Sequence, residues 1–162
     1  TVDFLKKERE YSLQQTGINK LRMNTVKVFV DGVVESKTAY MHEPYVCTYQ
    51  NNEEHNNNNH ERPNSNPSSP ALSHQSGCCG SMYPCGMPNY SRTELHQIFH
   101  ELHSEGFQIH CHCIGDRATT ETLDAFENAV NKSGQSGRRH HIAHLQVVQR
   151  EDIKRMKQLG IS

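Results

Sequence analysis

Apolar residues are scarce in this chain: only 33% of its 162 residues are hydrophobic. That is low for a compact domain, and the deficit is unevenly spread. No apolar run approaches the length that crosses a bilayer, which argues against a membrane-embedded protein. Charge of one sign is lacking too. A formal net charge of -1 supplies no basic field for nucleic acid or an anionic membrane. The opening segment, TVDFLKKERE, has neither an initiator methionine nor the pattern of a signal peptide. The final KQLGIS stops where a strand would begin. Both ends therefore read as those of a piece of a longer protein.

Six cysteines are present, but their placement suits a disulfide framework poorly. Cys78 and Cys79 are adjacent, Cys111 and Cys113 flank a histidine, and Cys47 and Cys85 bracket a polar tract. Reduced thiols in a cytoplasmic setting are the expectation. The tract itself reads QNNEEHNNNNHERPNSNPSSPALSHQSGCCG, rich in Asn, Ser, Pro and His. Such a segment cannot bury enough surface to offset its ordering entropy. It divides the chain into residues 1–49, a disordered insertion over 50–81, and residues 82–162. Its histidines suggest metal binding, although a solvated loop explains them more simply.

Outside the insertion the pattern is regular. In TVKVFVDG, Val26, Val28 and Val30 alternate with Lys27, Phe29 and Asp31, which predicts a strand ending at a glycine turn. SRTELHQIFHELHSEG carries a Ser91–Glu94 capping box and an apolar stripe of Leu95, Ile98, Phe99 and Leu102, closed by Gly106. His96, His100 and His103 are expected on its solvated side or flank. FQIHCHCI predicts a second strand, with Phe107, Ile109 and Cys111 on one face and Gln108, His110 and His112 on the other. A helix capped by Asp116 and running to about Val130 follows, with Leu123, Phe126 and Val130 inward. HHIAHLQVV reads as a third strand in which Ile142, His144 and Gln146 share a face, and Arg150 to Leu159 as a helix burying Ile153, Met156 and Leu159.

Alternating β and α units imply an α/β fold with a parallel sheet and right-handed crossovers. One apolar and one polar strand face fits part of a (β/α)8 TIM barrel better than a doubly wound sheet, whose strands are apolar on both faces. Functional residues in such barrels come from the C-terminal ends of several strands. Here the strands present Lys27, His112 and His144. Neutral imidazole is a common ligand for zinc and other divalent ions. Lysine has no free lone pair while it is an ammonium. Carboxylated, it becomes an anion able to bridge two metals.

VKVFVDGVVESKTAYMHEPY, FQIHCHCIGDRATTETLDAFE and RRHHIAHLQVVQREDIKRMKQLGI together resemble amidohydrolase family 3, over about residues 15–49 and 82–162. The resemblance implies a distorted TIM barrel with a small β-sandwich, of which this chain would supply about barrel strands 4 to 6 with their helices. It implies a metal-dependent hydrolase of non-peptide, amide-like carbon–nitrogen bonds, with one or two divalent ions, zinc foremost. By the same resemblance Lys27 lies on barrel strand 4, His112 on strand 5 and His144 on strand 6 as metal ligands. The His-x-His of strand 1 and the aspartate of strand 8, the implied general base, have no counterpart here. Alone, the chain is therefore expected to be inactive and to bind metal weakly. Asp116 and Arg117 belong to the Gly-Asp-Arg-Ala signature, as helix cap and ion pair or as substrate contacts. Glu35, Glu43 and Tyr45 fall in the loop after strand 4, where barrel loops face the site. His140 begins its strand and ranks below His144, and Asp31 is expected to support Lys27.

Two other readings compete. Cys78, Cys79 and Cys85 with nearby histidines would form a structural zinc knot in a non-catalytic protein, although adjacent cysteines fit paired-ligand spacing poorly. A degenerate paralogue would keep the barrel and lack the remaining ligands. The expected partner is a small amide-like substrate, with no nucleic acid and no membrane.

Overall fold

The computed structural model describes residues 2–16, 23–46, 83–135 and 137–162. The insertion expected over 50–81, with Cys78 and Cys79, lies outside the described residues. The elements are α1 (Val2–Thr16), β1 (Thr25–Phe29), α2 (Arg92–Ser104), β2 (Gln108–Cys113), α3 (Asp116–Ser133), β3 (His141–His144) and α4 (Arg150–Leu159). The strands form one parallel sheet in the order β1-β2-β3. This is the α/β alternation expected from the sequence.

Alternation along the strands sorts the two faces. Val28, Ile109, Cys111 and Ile142 point into the core, which α2 and α3 cover. Phe99 of α2 and Phe126 of α3 meet at its centre with ring centroids 4.7 Å apart. Burial pushes the Cys113 thiol up to about 12 and raises Cys111 well above its usual range, so both stay protonated on the core side. The capping box of α2 forms as read: Ser91 Oγ accepts from the Glu94 N–H at 3.3 Å, and Glu94 Oε2 accepts from the Ser91 N–H at 2.8 Å.

Helix α1 was not expected. Its apolar residues do not share one face, since Phe4, Tyr11 and Leu13 are exposed, so periodicity gives no signal. Tertiary anchors hold it instead. Lys6 Nζ bonds Glu105 at 2.9 Å, Arg9 donates to the Glu105 carbonyl at 2.9 Å, and the Arg9 guanidinium lies 4.3 Å from the centroid of the Phe107 ring. In α4 the expectation also fails at one position. Ile153 is 55% exposed and Asp152 takes the inward place, because Thr120 Oγ1 and Arg155 Nη1 both bond its carboxylate. Helix α3 runs three residues beyond Val130, to Ser133, and buries Ala129 more deeply than Val130.

His103 and His140 form a buried relay between α2 and the start of β3, contrary to the solvated position read for His103. Ile109 N–H donates to His140 Nδ1 at 3.0 Å, His140 Nε2 lies 2.8 Å from His103 Nδ1, and His103 Nε2 lies 3.2 Å from the Gln135 carbonyl. A carbonyl only accepts, so His103 Nε2 carries its proton and His140 Nε2 donates onward. Every ring nitrogen is used, and an extra proton on either ring would face a donor. Burial, and then the nearby His103 and Arg138, depress the His140 imidazole to about 4. The unfolded chain takes up this proton from about pH 6.5 downward. Stability is therefore complete above that value and falls as pH drops towards 4, by about 2–3 kcal/mol. Urea unfolding across this window should show the loss. His140→Gln, whose amide accepts and donates without titrating, should flatten the slope, and an unchanged slope would exclude this relay as the cause.

Candidate metal centre

The face opposite the core carries the ionisable residues. The parallel register places Lys27 beside His110, and His110 beside His141. The row nearer the C-terminal ends is Phe29, His112 and Ala143. The rings of His110 and His141 touch, with centroids 4.5 Å apart. Burial lowers the His110 pKa, and the neighbouring His141, Lys27 and His144 add to the effect.

His112 and His144 come together at the ends of β2 and β3, with ring centroids 4.5 Å apart and planes at 66°. Strand alternation alone would not do this. His144 pairs with Cys113 in the register, and Cys113 is wholly buried on the core side. Backbone conformation makes the difference: His144 has φ 81° and Leu145 φ 48°. This left-handed turn swings the imidazole out of the alternation and onto the polar face. Ile142, read as sharing a face with His144, stays in the core at 5% exposure. Left-handed φ in a non-glycine residue costs of order 1–3 kcal/mol and persists where its surroundings enforce it. Here Leu145 N–H bonds the Cys113 carbonyl at 3.0 Å and Val147 N–H bonds the Ile114 carbonyl at 3.0 Å, which ties the turned segment to β2.

His112 is nearly buried. Its Nε2 lies 3.0 Å from the Gly32 carbonyl and 3.9 Å from Asp31 Oδ1, and its ring lies 5.1 Å from that of Phe29. Lys27 stands in the row of His110, exposed, with Nζ 4.7 Å from the Phe29 ring centroid. The expected support of Lys27 by Asp31 does not form. The Asp31 carboxylate instead accepts from the backbone N–H groups of Tyr40, Ile114 and Gly115, at 2.9, 3.0 and 2.8 Å.

The remaining sequence candidates take structural places. Asp116 is the first residue of α3 and the N-cap is Gly115, one position earlier than read. The Asp116 carboxylate accepts from the His42 N–H at 3.0 Å and from Gln149 Nε2 at 2.6 Å, joining the loops after β1 and β3. Arg117 pairs with Glu121 at 3.2 Å, not with Asp116, and lies over the Tyr40 ring. Gly115 is required by close approach, since a Cβ there would stand 2.0 Å from the Tyr40 carbonyl oxygen. Glu35 and Glu43 are exposed in the loop after β1, and Tyr45 donates to the Ala39 carbonyl at 2.8 Å. His140 lies behind the sheet, stacked on Phe126 at 4.6 Å.

His141 went unread, because the sequence grouped Ile142, His144 and Gln146 on one face. The signal was available in the parallel pairing that sets His141 beside His110. Among the described residues no group of three or more His, Cys, Asp and Glu is disposed to hold a metal ion. Of the cysteines of the alternative zinc knot, only Cys85 is described, and it is a free thiol. The donor chemistry present is a pair of adjacent imidazoles on strand ends. That pair fits a divalent transition metal as a partial ligand set.

The model of the Amidohydrolase family matches residues 2–162. The Exoenzymes regulatory protein AepA of Pectobacterium carotovorum subsp. carotovorum is 27% identical over 135 residues, covering 83% of this chain and 21% of that protein. An uncharacterized metal-dependent hydrolase from Pyrococcus furiosus superposes with a TM-score of 0.57 at 23% identity, covering 98% of this chain and 25% of that one. Its counterpart from Pyrococcus horikoshii OT3 gives 0.56 at 24% identity, again covering 98% and 25%. These two similarities bear on fold. The chain spans about a fifth to a quarter of the proteins it matches.

Proposed function

The chain belongs to the amidohydrolase family, and from that membership we propose that it is part of a metal-dependent hydrolase cleaving carbon–nitrogen bonds in small, non-peptide, amide-like substrates. The observation that carries this reading is the His112–His144 ring pair, 4.5 Å between centroids, at adjacent strand ends. Both residues lie in segments whose sequence carried the family resemblance. The His144 backbone accepts an unfavourable φ of 81° to make that contact, which a solvated strand end would not need. A parallel sheet with one face covered by helices and the other lined with imidazoles supports its place within a larger (β/α)8 barrel.

His112 and His144 would hold the ion, zinc foremost. Lys27 would join them as a carboxylated bridge; it shares their face one row away. When bound, the ion supplies positive charge that polarises a substrate carbonyl and eases deprotonation of water. This chain's own residues act by position. The Gly32 carbonyl holds the His112 ring, and the turn at His144 and Leu145 holds its partner.

The test uses the full-length protein. Chelation should abolish hydrolysis of a panel of N-acyl and N-formyl small molecules, and zinc should restore it. Hydrolysis that survives complete metal removal would refute the reading.

A further inference from the structure

Resting on the reading of His112 as a ligand, we infer that the Asp31–Gly32 corner after β1 is the positioning device for His112 and dictates which ring nitrogen keeps its proton. The Gly32 carbonyl only accepts, so Nε2 of His112, 3.0 Å away, is the protonated nitrogen. The lone pair of the neutral ring then lies on Nδ1, and a ligand nitrogen must offer a lone pair. Among the described residues no hydrogen bond engages Nδ1.

The corner is fixed from several sides. The Asp31 side chain is fully buried. Oδ1 accepts from Ile114 N–H at 3.0 Å, and Oδ2 from Gly115 N–H at 2.8 Å and Tyr40 N–H at 2.9 Å. These bonds join the end of β1, the loop at Tyr40 and the turn after β2. Gly32 N–H bonds the Thr38 carbonyl at 3.2 Å, and Val33 N–H bonds Thr38 Oγ1 at 3.0 Å. A Cβ at Gly32 would meet Thr38 Oγ1 at 2.0 Å, so the chain approaches itself where only glycine fits. The Gly32 carbonyl therefore has little freedom to leave His112.

Asp31 also acts through its charge. Oδ1 lies 3.9 Å from His112 Nε2, and a carboxylate that close favours the N–H dipole on the nitrogen facing it. Asp31 touches neither the expected metal position nor a substrate. It is a positioning residue, and this role explains a buried carboxylate beside a histidine better than the support of Lys27 read from sequence.

Nitrogen-15 NMR of the metal-free full-length protein, well above the ordinary imidazole pKa of about 6.5, reads the tautomer directly. His112 should be the Nε2–H form. Asp31→Asn has the same shape but no charge and one acceptor oxygen fewer. It should raise the Nδ1–H population of His112 and weaken zinc or cobalt binding by about 10–100-fold, the usual cost of losing an outer partner. His144 should keep its tautomer. Asp31→Glu, which keeps the charge, should retain the Nε2–H form. A wild-type His112 in the Nδ1–H form would overturn the inference. So would a folded Asp31→Asn with unchanged tautomer and unchanged affinity. Should Asp31→Asn fail to fold, the wild-type and Asp31→Glu tautomers decide. Failure of the wild-type full-length protein to bind zinc, with the Nε2–H tautomer intact, would sink the metal reading and leave the positioning role standing.

Discussion

His112→Ala or His144→Ala should strip the full-length protein of bound metal and abolish its hydrolysis, a loss well beyond the about 10–100-fold that follows removal of an outer partner. The two rings are in contact at the strand ends, so each substitution removes one donor and leaves the other without its neighbour. Folding should hardly change for His144→Ala. That side chain is exposed, and exposed substitutions away from special features shift stability by about 0.5 kcal/mol or less. The φ of 81° remains unfavourable for alanine, so the substitution relieves no backbone strain. Matched substitutions at His110 and His141, the other touching pair, provide the control and should leave the metal in place. Metal analysis alongside urea unfolding separates the site from the scaffold. Unchanged metal stoichiometry in His112→Ala or His144→Ala would sink the assignment.

Phe126→Ala should act in the opposite sense, on the fold and not the site. Phe126 is wholly buried, 4.7 Å from the Phe99 ring and stacked at 4.6 Å on His140. Truncating a buried phenylalanine costs about 3–5 kcal/mol through lost burial and the cavity left behind. That is a large share of the about 5–15 kcal/mol that holds a domain together. The cavity would also open beside the His103–His140 relay, and water entering it would bring the His140 imidazole back toward its ordinary range. Phe126→Ala should therefore flatten the pH dependence of stability between about pH 6.5 and 4 as well as lower the urea midpoint. A loss under about 1 kcal/mol would show that the interface of α2 and α3 is not the centre of the core.

The sequence made much of the scaffold legible because local rules and tertiary packing agree there. The strand centred on Ile109 and Cys111, the capping box at Ser91 and the stripe of Leu95, Phe99 and Leu102 each carry their own period or cap. Three features escaped it, for different physical reasons. Helix α1 is held by Lys6, Arg9 and Glu105 rather than by an apolar stripe, so no window of sequence shows it. Ile153 and Asp152 exchange places because a buried carboxylate with two donors, Thr120 and Arg155, outweighs an exposed isoleucine. His144 was set on the face of Ile142 by strict alternation, and a left-handed backbone at His144 and Leu145 breaks that alternation.

The candidate site was legible in part. His112 and His144 were named from their places at strand ends and by resemblance, and the structure brings their rings together. The geometry beneath them was not readable. Asp31 was paired with Lys27 because both alternate onto one strand face, whereas three backbone N–H groups distant in sequence draw its carboxylate away. His103 and His140 looked like surface and site histidines. Only the packed structure shows that they bond each other behind the sheet.

In the proposed function His112 and His144 together hold a divalent ion. Anomalous scattering at the zinc edge, from crystals of the full-length protein, tests it most directly. A zinc peak is expected at about 2.0–2.1 Å from Nδ1 of His112 and from a ring nitrogen of His144. A zinc peak on His110 and His141 or on Cys85, with none between His112 and His144, would contradict it.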